Sequence, residues 1–141
     1  MNDSSFYFRQ VTDLLAYLNL PMDEKYDLTP SFSIQVPLHY VQKMQKGNPQ
    51  DPLFLQVIPL LEEKKQKSGF TKDPVGDINA TQEPSILQKY NARALVISTN
   101  ACSLHCRFCF RKHFQYEPTN TLPDRLDRWL GSHPDIHEII F

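Results

Sequence analysis

The chain has 141 residues, 40% of them hydrophobic, with 15 basic and 16 acidic side chains and a formal net charge of −1. That length holds one modest domain, or a domain with a cap. The near-neutral balance argues against nucleic acid or an anionic membrane surface as a partner. No apolar run approaches the roughly 20 residues of a membrane span. The N-terminus, with an early Asp3 and no basic start before an apolar core, does not read as a secretory signal. A cytoplasmic protein is expected.

The first element in chain order is a short amphipathic helix over 11–18, with Val11, Leu14, Leu15 and Leu18 on one face. Thr12 is its candidate cap and Pro21 its stop. A second helix is expected over 37–46, with Pro37 in the first helical position, Gly47 just past the end, and Tyr40, Val41 and Met44 as the apolar stripe. A third, over 51–58, opens on Asp51 and Pro52 and ends before Pro59. All three read as packing elements. Residues 62–85 are polar and broken by Pro74 and Pro84, so they read as a loop or linker. Within them Lys64, Lys65 and Lys67 form a solvated face.

The character changes at residues 93–99, a β-prone run with almost no polar interruption, which predicts a strand buried on both faces. An amphipathic helix follows over 122–132, with Leu122, Leu126, Trp129 and Leu130 on one face and Gly131 ending it. A second β-prone run starts at 137–141. Strand, loop, helix and strand make a βαβ unit. One such unit does not bury both faces of a parallel pair, so the sequence reads as a truncated fragment.

Between the first strand and that helix lie the three cysteines, all within eight residues: Cys102-Ser-Leu-His-Cys106-Arg-Phe-Cys109. An odd, tight cluster is unsuited to a disulfide framework. Thiolates are soft ligands that suit zinc or iron–sulfur clusters. A structural zinc site needs four protein ligands; His105 and His113 are candidates for the fourth, although the spacing matches no familiar zinc pattern. Three thiolates on a cubane would leave one iron open to a ligand, as a catalytic site requires.

This motif, Cys102-x3-Cys106-x2-Cys109 after a strand, resembles the signature of the radical S-adenosylmethionine superfamily. Its flanks resemble the lysine 2,3-aminomutase family, above all the bacterial branch that serves modification of elongation factor P. They are Tyr90-Asn-Ala-Arg93, Cys106-Arg-Phe-Cys-Phe-Arg-Lys-His-Phe114 and Gly47-Asn-Pro-Gln-Asp-Pro-Leu53. The resemblance covers residues 36–141. It implies an isomerase that moves the amino group of L-lysine from the α- to the β-carbon, giving β-lysine. Its cofactors would be a 4Fe–4S cluster on Cys102, Cys106 and Cys109, S-adenosylmethionine on the open iron, and pyridoxal phosphate.

By the same resemblance Phe108 contacts the adenine, Arg111 holds the substrate carboxylate, Arg93 the cofactor phosphate, and Tyr90 lies near the cofactor ring. A bidentate guanidinium suits the carboxylate role. Each has a plainer reading: Arg93 as a strand-flanking charge, Arg111 paired with a nearby acid, Tyr90 as packing. Lys89 reads as an exposed solvated lysine, with help to the phosphate as the alternative, while Lys112 and His113 read as a basic surface rim and His105 as a loop residue.

The resemblance also implies a glycine-rich S-adenosylmethionine segment and an aldimine-forming lysine beyond Phe141. The 141-residue chain alone is therefore expected to be inactive. The expected fold is α/β: an N-terminal helical region and linker (1–85), then the beginning of a partial (β/α) radical S-adenosylmethionine barrel (86–141). Another radical S-adenosylmethionine enzyme, or a non-enzymatic iron–sulfur or zinc module, is the alternative.

Overall fold

The computed structural model describes residues 6–99, 101–109, 112 and 121–141. Its contacts divide into two compact units, Met1–Gly69 with Cys102–Lys112, and Phe70–Ala101 with His113–Phe141.

In the first unit, β1 (Tyr7–Phe8) pairs antiparallel with β2 (Val36–Pro37). Helix α1 (Val11–Tyr17) forms where the 11, 14, 15, 18 spacing predicts it, and all four of those side chains are at most 1% exposed. Such burial contributes roughly 1.5–3 kcal/mol per side chain. The ends differ from expectation. Thr12 lies inside the first turn, too late to cap, and Gln10 takes the cap position without a side-chain bond. The helix stops before Pro21, because Asn19 turns left-handed at φ 54. The Leu20 amide then donates to the Leu15 carbonyl at 2.9 Å and the Asn19 amide to Ala16 at 3.2 Å, a Schellman closure.

The helix expected over 37–46 is a single turn, α2 (Leu38–Val41). Pro37 belongs to β2 and precedes the helix in extended conformation. Past Val41 the chain tightens: the Lys43 and Met44 amides donate three residues back, to Tyr40 and Val41. The Gln45 amide turns to the Asp51 carboxylate at 3.0 Å. Gly47 closes the segment at φ 73, a backbone that favours glycine. Likewise α3 (Pro52–Leu55) is shorter than its expected 51–58 but starts as predicted, with Asp51 accepting the amides of Leu53 and Phe54. A 3-10 turn, Leu61–Lys64, follows. The core of this unit joins α1 to Ile34, Val36, Val41, Phe54, Val57 and Ile58.

The second unit contains a four-stranded sheet in the order β3-β4-β5-β6. The expected linker over 62–85 is in part structured: α4 (Asp77–Ala80) leads into β3 (Thr81–Glu83). Strand β4 (Ile86–Tyr90), which the sequence reading missed, forms hairpins with β3 and with β5 (Arg93–Val96). Helix α5 (Leu122–Gly131) and β6 (Glu138–Ile140) lie where expected, and β6 runs parallel to β5, pairing Arg93 with Glu138 and Leu95 with Ile140. The expectation of a strand buried on both faces fails for β5. Ala94 and Val96 are buried, whereas Arg93 and Leu95 are exposed, because α5 gives the core a single layer of cover through Leu122 and Trp129. Among the described residues no helix is long and apolar enough to cross a membrane.

Candidate functional site

The cysteine loop belongs to the first unit, and the residues between the cysteines anchor it. The His105 amide donates to the Gln35 carbonyl at 2.9 Å and the Arg107 amide to the Gln56 carbonyl at 2.7 Å. The Gln35 side-chain amide donates to the Cys102 carbonyl at 2.6 Å. The His105 ring stacks on Phe32 at 4.5 Å, with its Nδ1 2.8 Å from the Ser33 carbonyl oxygen. Leu104 packs on the core. With Leu104, His105 and Arg107 turned to the protein, Cys102 is exposed and Cys106 and Cys109 are half-buried, none of them in a disulfide.

Glu63 gathers the second half of this loop. Its Oε1 accepts from Arg107 Nε at 2.5 Å and its Oε2 from Lys112 Nζ at 3.0 Å. Burial alone would raise its carboxyl, but the hydrogen bonds from Lys112 and Arg107 outweigh that and hold it below its ordinary value. The Tyr40 hydroxyl is pushed up, first by burial and then by its neighbours Cys106 and Asp51. Phe108 is 81% exposed, with the Arg107 guanidinium 4.9 Å from its ring centroid.

The chemistry of the donor set fits an iron–sulfur cluster: three soft thiols on eight residues, two of them on a braced half-buried loop. Among the described residues, Cys102, Cys106 and Cys109 included, no three His, Cys, Asp or Glu side chains are gathered closely enough to hold a metal ion. Arg111 and His113 lie outside the described residues.

The second unit carries a separate cavity of about 200 Å³, lined by Asp77, Leu87, Lys89, Tyr90, Arg93, Leu95 and Ile140. The β4–β5 hairpin places Tyr90 opposite Arg93. Both cations are already paired: Arg93 Nε with Glu138 and Lys89 Nζ with Asp77, each at 2.5 Å. A phosphate entering here would compete with those carboxylates for them.

The sequence reading did not single out Glu63, Gln35, Asp77 or Glu138. For Glu63 no local signal exists, since its partners are 44 and 49 residues away. For Glu138 the expected parallel strand pair was a usable signal. The lysine cluster at 64–67 is exposed, as expected, and one member, Lys64, also reaches the buried Asp27 at 2.8 Å.

No protein-family model matches the chain. Among curated proteins, L-lysine 2,3-aminomutase of Haemophilus influenzae is 40% identical in a 137-position alignment that covers 91% of this chain and 40% of that protein. The proteins of the same name from Escherichia coli and Buchnera aphidicola are 34% and 33% identical, over 92% and 91% of this chain and again 40% of their own length. The chain thus spans about two fifths of these relatives. Over that span, with the cysteine loop and the Tyr90–Arg93 hairpin inside it, the chain is similar to the L-lysine 2,3-aminomutases of these bacteria.

Proposed function

We propose that this chain supplies the cluster loop and part of the cofactor pocket of an isomerase that converts L-lysine to β-lysine in the cytoplasm, in the service of elongation factor P modification. The observation that carries the reading is the braced loop presenting Cys102, Cys106 and Cys109 in a sequence related to L-lysine 2,3-aminomutases along nine-tenths of its length. The parallel β5–β6 pair with α5 between its strands in sequence supports the start of a (β/α) barrel.

When bound, a 4Fe–4S cluster with S-adenosylmethionine supplies a hydrogen-abstracting radical, and pyridoxal phosphate supplies a carrier for the migrating amino group. The chain's own residues hold and orient. Cys102, Cys106 and Cys109 are the thiolates for the cluster. Phe108, exposed one residue before the third cysteine, offers an aromatic face to adenine. Arg93 and Lys89 line a cavity with Tyr90, which suits a phosphate beside an aromatic ring. Arg111 is assigned to the substrate carboxylate.

The test is anaerobic loading of the full chain with iron and sulfide. The reading expects a brown protein with iron and sulfide in equal amounts, and loss of both on Cys106→Ala. Stoichiometric zinc with no sulfide uptake would count against it.

A further inference from the structure

We propose that Glu63 is a positioning residue for the cysteine loop, holding the segment around Cys106 and Cys109 through one carboxylate shared between Arg107 and Lys112; this rests on the cluster reading above. Arg107 follows the second cysteine and Lys112 lies three residues after the third. Both reach back to the same side chain, one to each oxygen, at 2.5 and 3.0 Å.

These are not ordinary surface pairs. The three side chains are only 18%, 20% and 24% exposed, whereas Lys65–Glu62 lies nearby with both side chains 73% exposed. Solvent screens an exposed pair to little net value but screens a sheltered, charge-assisted one much less. Glu63 is itself fixed. Its Oε1 also accepts the Leu60 amide at 3.2 Å. The turn that carries it is tied to the 25–27 segment by a Tyr26–Leu60 bridge, by the Leu61 amide donating to the Lys25 carbonyl, and by the Lys64–Asp27 pair. The loop's backbone anchors at His105 and Arg107 fix its first half, and Lys112 carries its second half back to the carboxylate. The N-terminal packing elements therefore also set where two cluster ligands stand.

The test uses the full chain with Glu63→Ala, Glu63→Gln and Glu63→Asp. Two readouts are taken: alkylation rates of Cys106 and Cys109 in the metal-free protein, and the rate at which a chelator strips iron from the loaded protein. Glu63→Ala and Glu63→Gln are expected to alkylate faster and to release iron about threefold to tenfold faster than wild type. Glu63→Asp is expected to recover toward wild type, a rescue that a generic packing role does not give. Glu63→Gln keeps the acceptor for Leu60 and the side-chain volume, so it decides the matter if Glu63→Ala fails to fold. Wild-type rates in Glu63→Gln overturn the proposal while leaving the cluster reading intact. A wild-type chain that takes up no iron overturns the cluster reading itself.

Discussion

Removal of the Asp51 carboxylate should destabilise the first unit well beyond the cost of an ordinary helix cap. Asp51 is only 7% exposed. Its Oδ1 accepts the Leu53 and Phe54 amides at 2.9 and 3.0 Å, and its Oδ2 the Gln45 amide at 3.0 Å. Loss of an N-cap costs about 0.5–2 kcal/mol, and the orphaned Gln45 amide adds about 1 kcal/mol. Asp51→Ala should therefore cost about 1.5–3 kcal/mol, and Asp51→Asn, which keeps one acceptor oxygen, about 1 kcal/mol.

The pH dependence follows from the same contacts. Burial alone would raise the carboxyl, but the Gln45, Phe54 and Leu53 amides outweigh it and hold the group below its ordinary value. Its stabilisation is thus complete above the unfolded-state value, near 4, and is lost as pH falls through the lower folded value. The acid limb of stability should flatten in Asp51→Asn. Urea denaturation followed by circular dichroism, at neutral pH and across the acid range, measures both effects. Amide exchange at Phe54 reports the helix locally. A loss below about 0.5 kcal/mol in Asp51→Ala, with an unchanged m-value, would refute the capping account.

Three further outcomes are expected. Leu14→Ala, at a fully buried site on α1, should lower stability by about 3 kcal/mol in the same urea assay. Ser85 is buried at φ 70 with no partner for its hydroxyl among the described residues. Ser85→Gly should relieve both strains and raise stability by about 1 kcal/mol; a loss instead would show that the hydroxyl is satisfied. Glu138→Gln should release Arg93, and since the pair is about half exposed it is worth at most about 1 kcal/mol. Pyridoxal phosphate, titrated by fluorescence, should then bind up to about fivefold more tightly, and Arg93→Ala should weaken it. Unchanged affinity in both variants would remove the cavity from the cofactor assignment.

The sequence made some of this fold legible and hid the rest for identifiable reasons. The i, i+3, i+4, i+7 spacing located α1, and the Leu122–Trp129 stripe located α5, because each buries one face of a helix long enough to show a period. Strand β4 was invisible. It has five residues, and it is flanked by turns whose left-handed positions are occupied by Ser85 and Ala92 and not by a glycine that would have marked them. The 37–46 helix stops at Val41: the Lys43 and Met44 amides bond three residues back, and the Gln45 amide goes to Asp51. At the site, the three cysteines declared themselves by spacing. Their supports, Gln35, Gln56 and Glu63, did not, since a contact spanning 44 residues leaves no mark in a local window.

The measurement that bears most directly on the central claim is Mössbauer spectroscopy of the anaerobically loaded full chain. Three thiolates on a cubane leave one iron without a protein sulfur. The spectrum should therefore resolve a four-iron cluster with one iron distinct from the other three, and an added small chelating ligand should shift that one alone. Mononuclear iron, or four equivalent irons indifferent to the added ligand, would contradict the account.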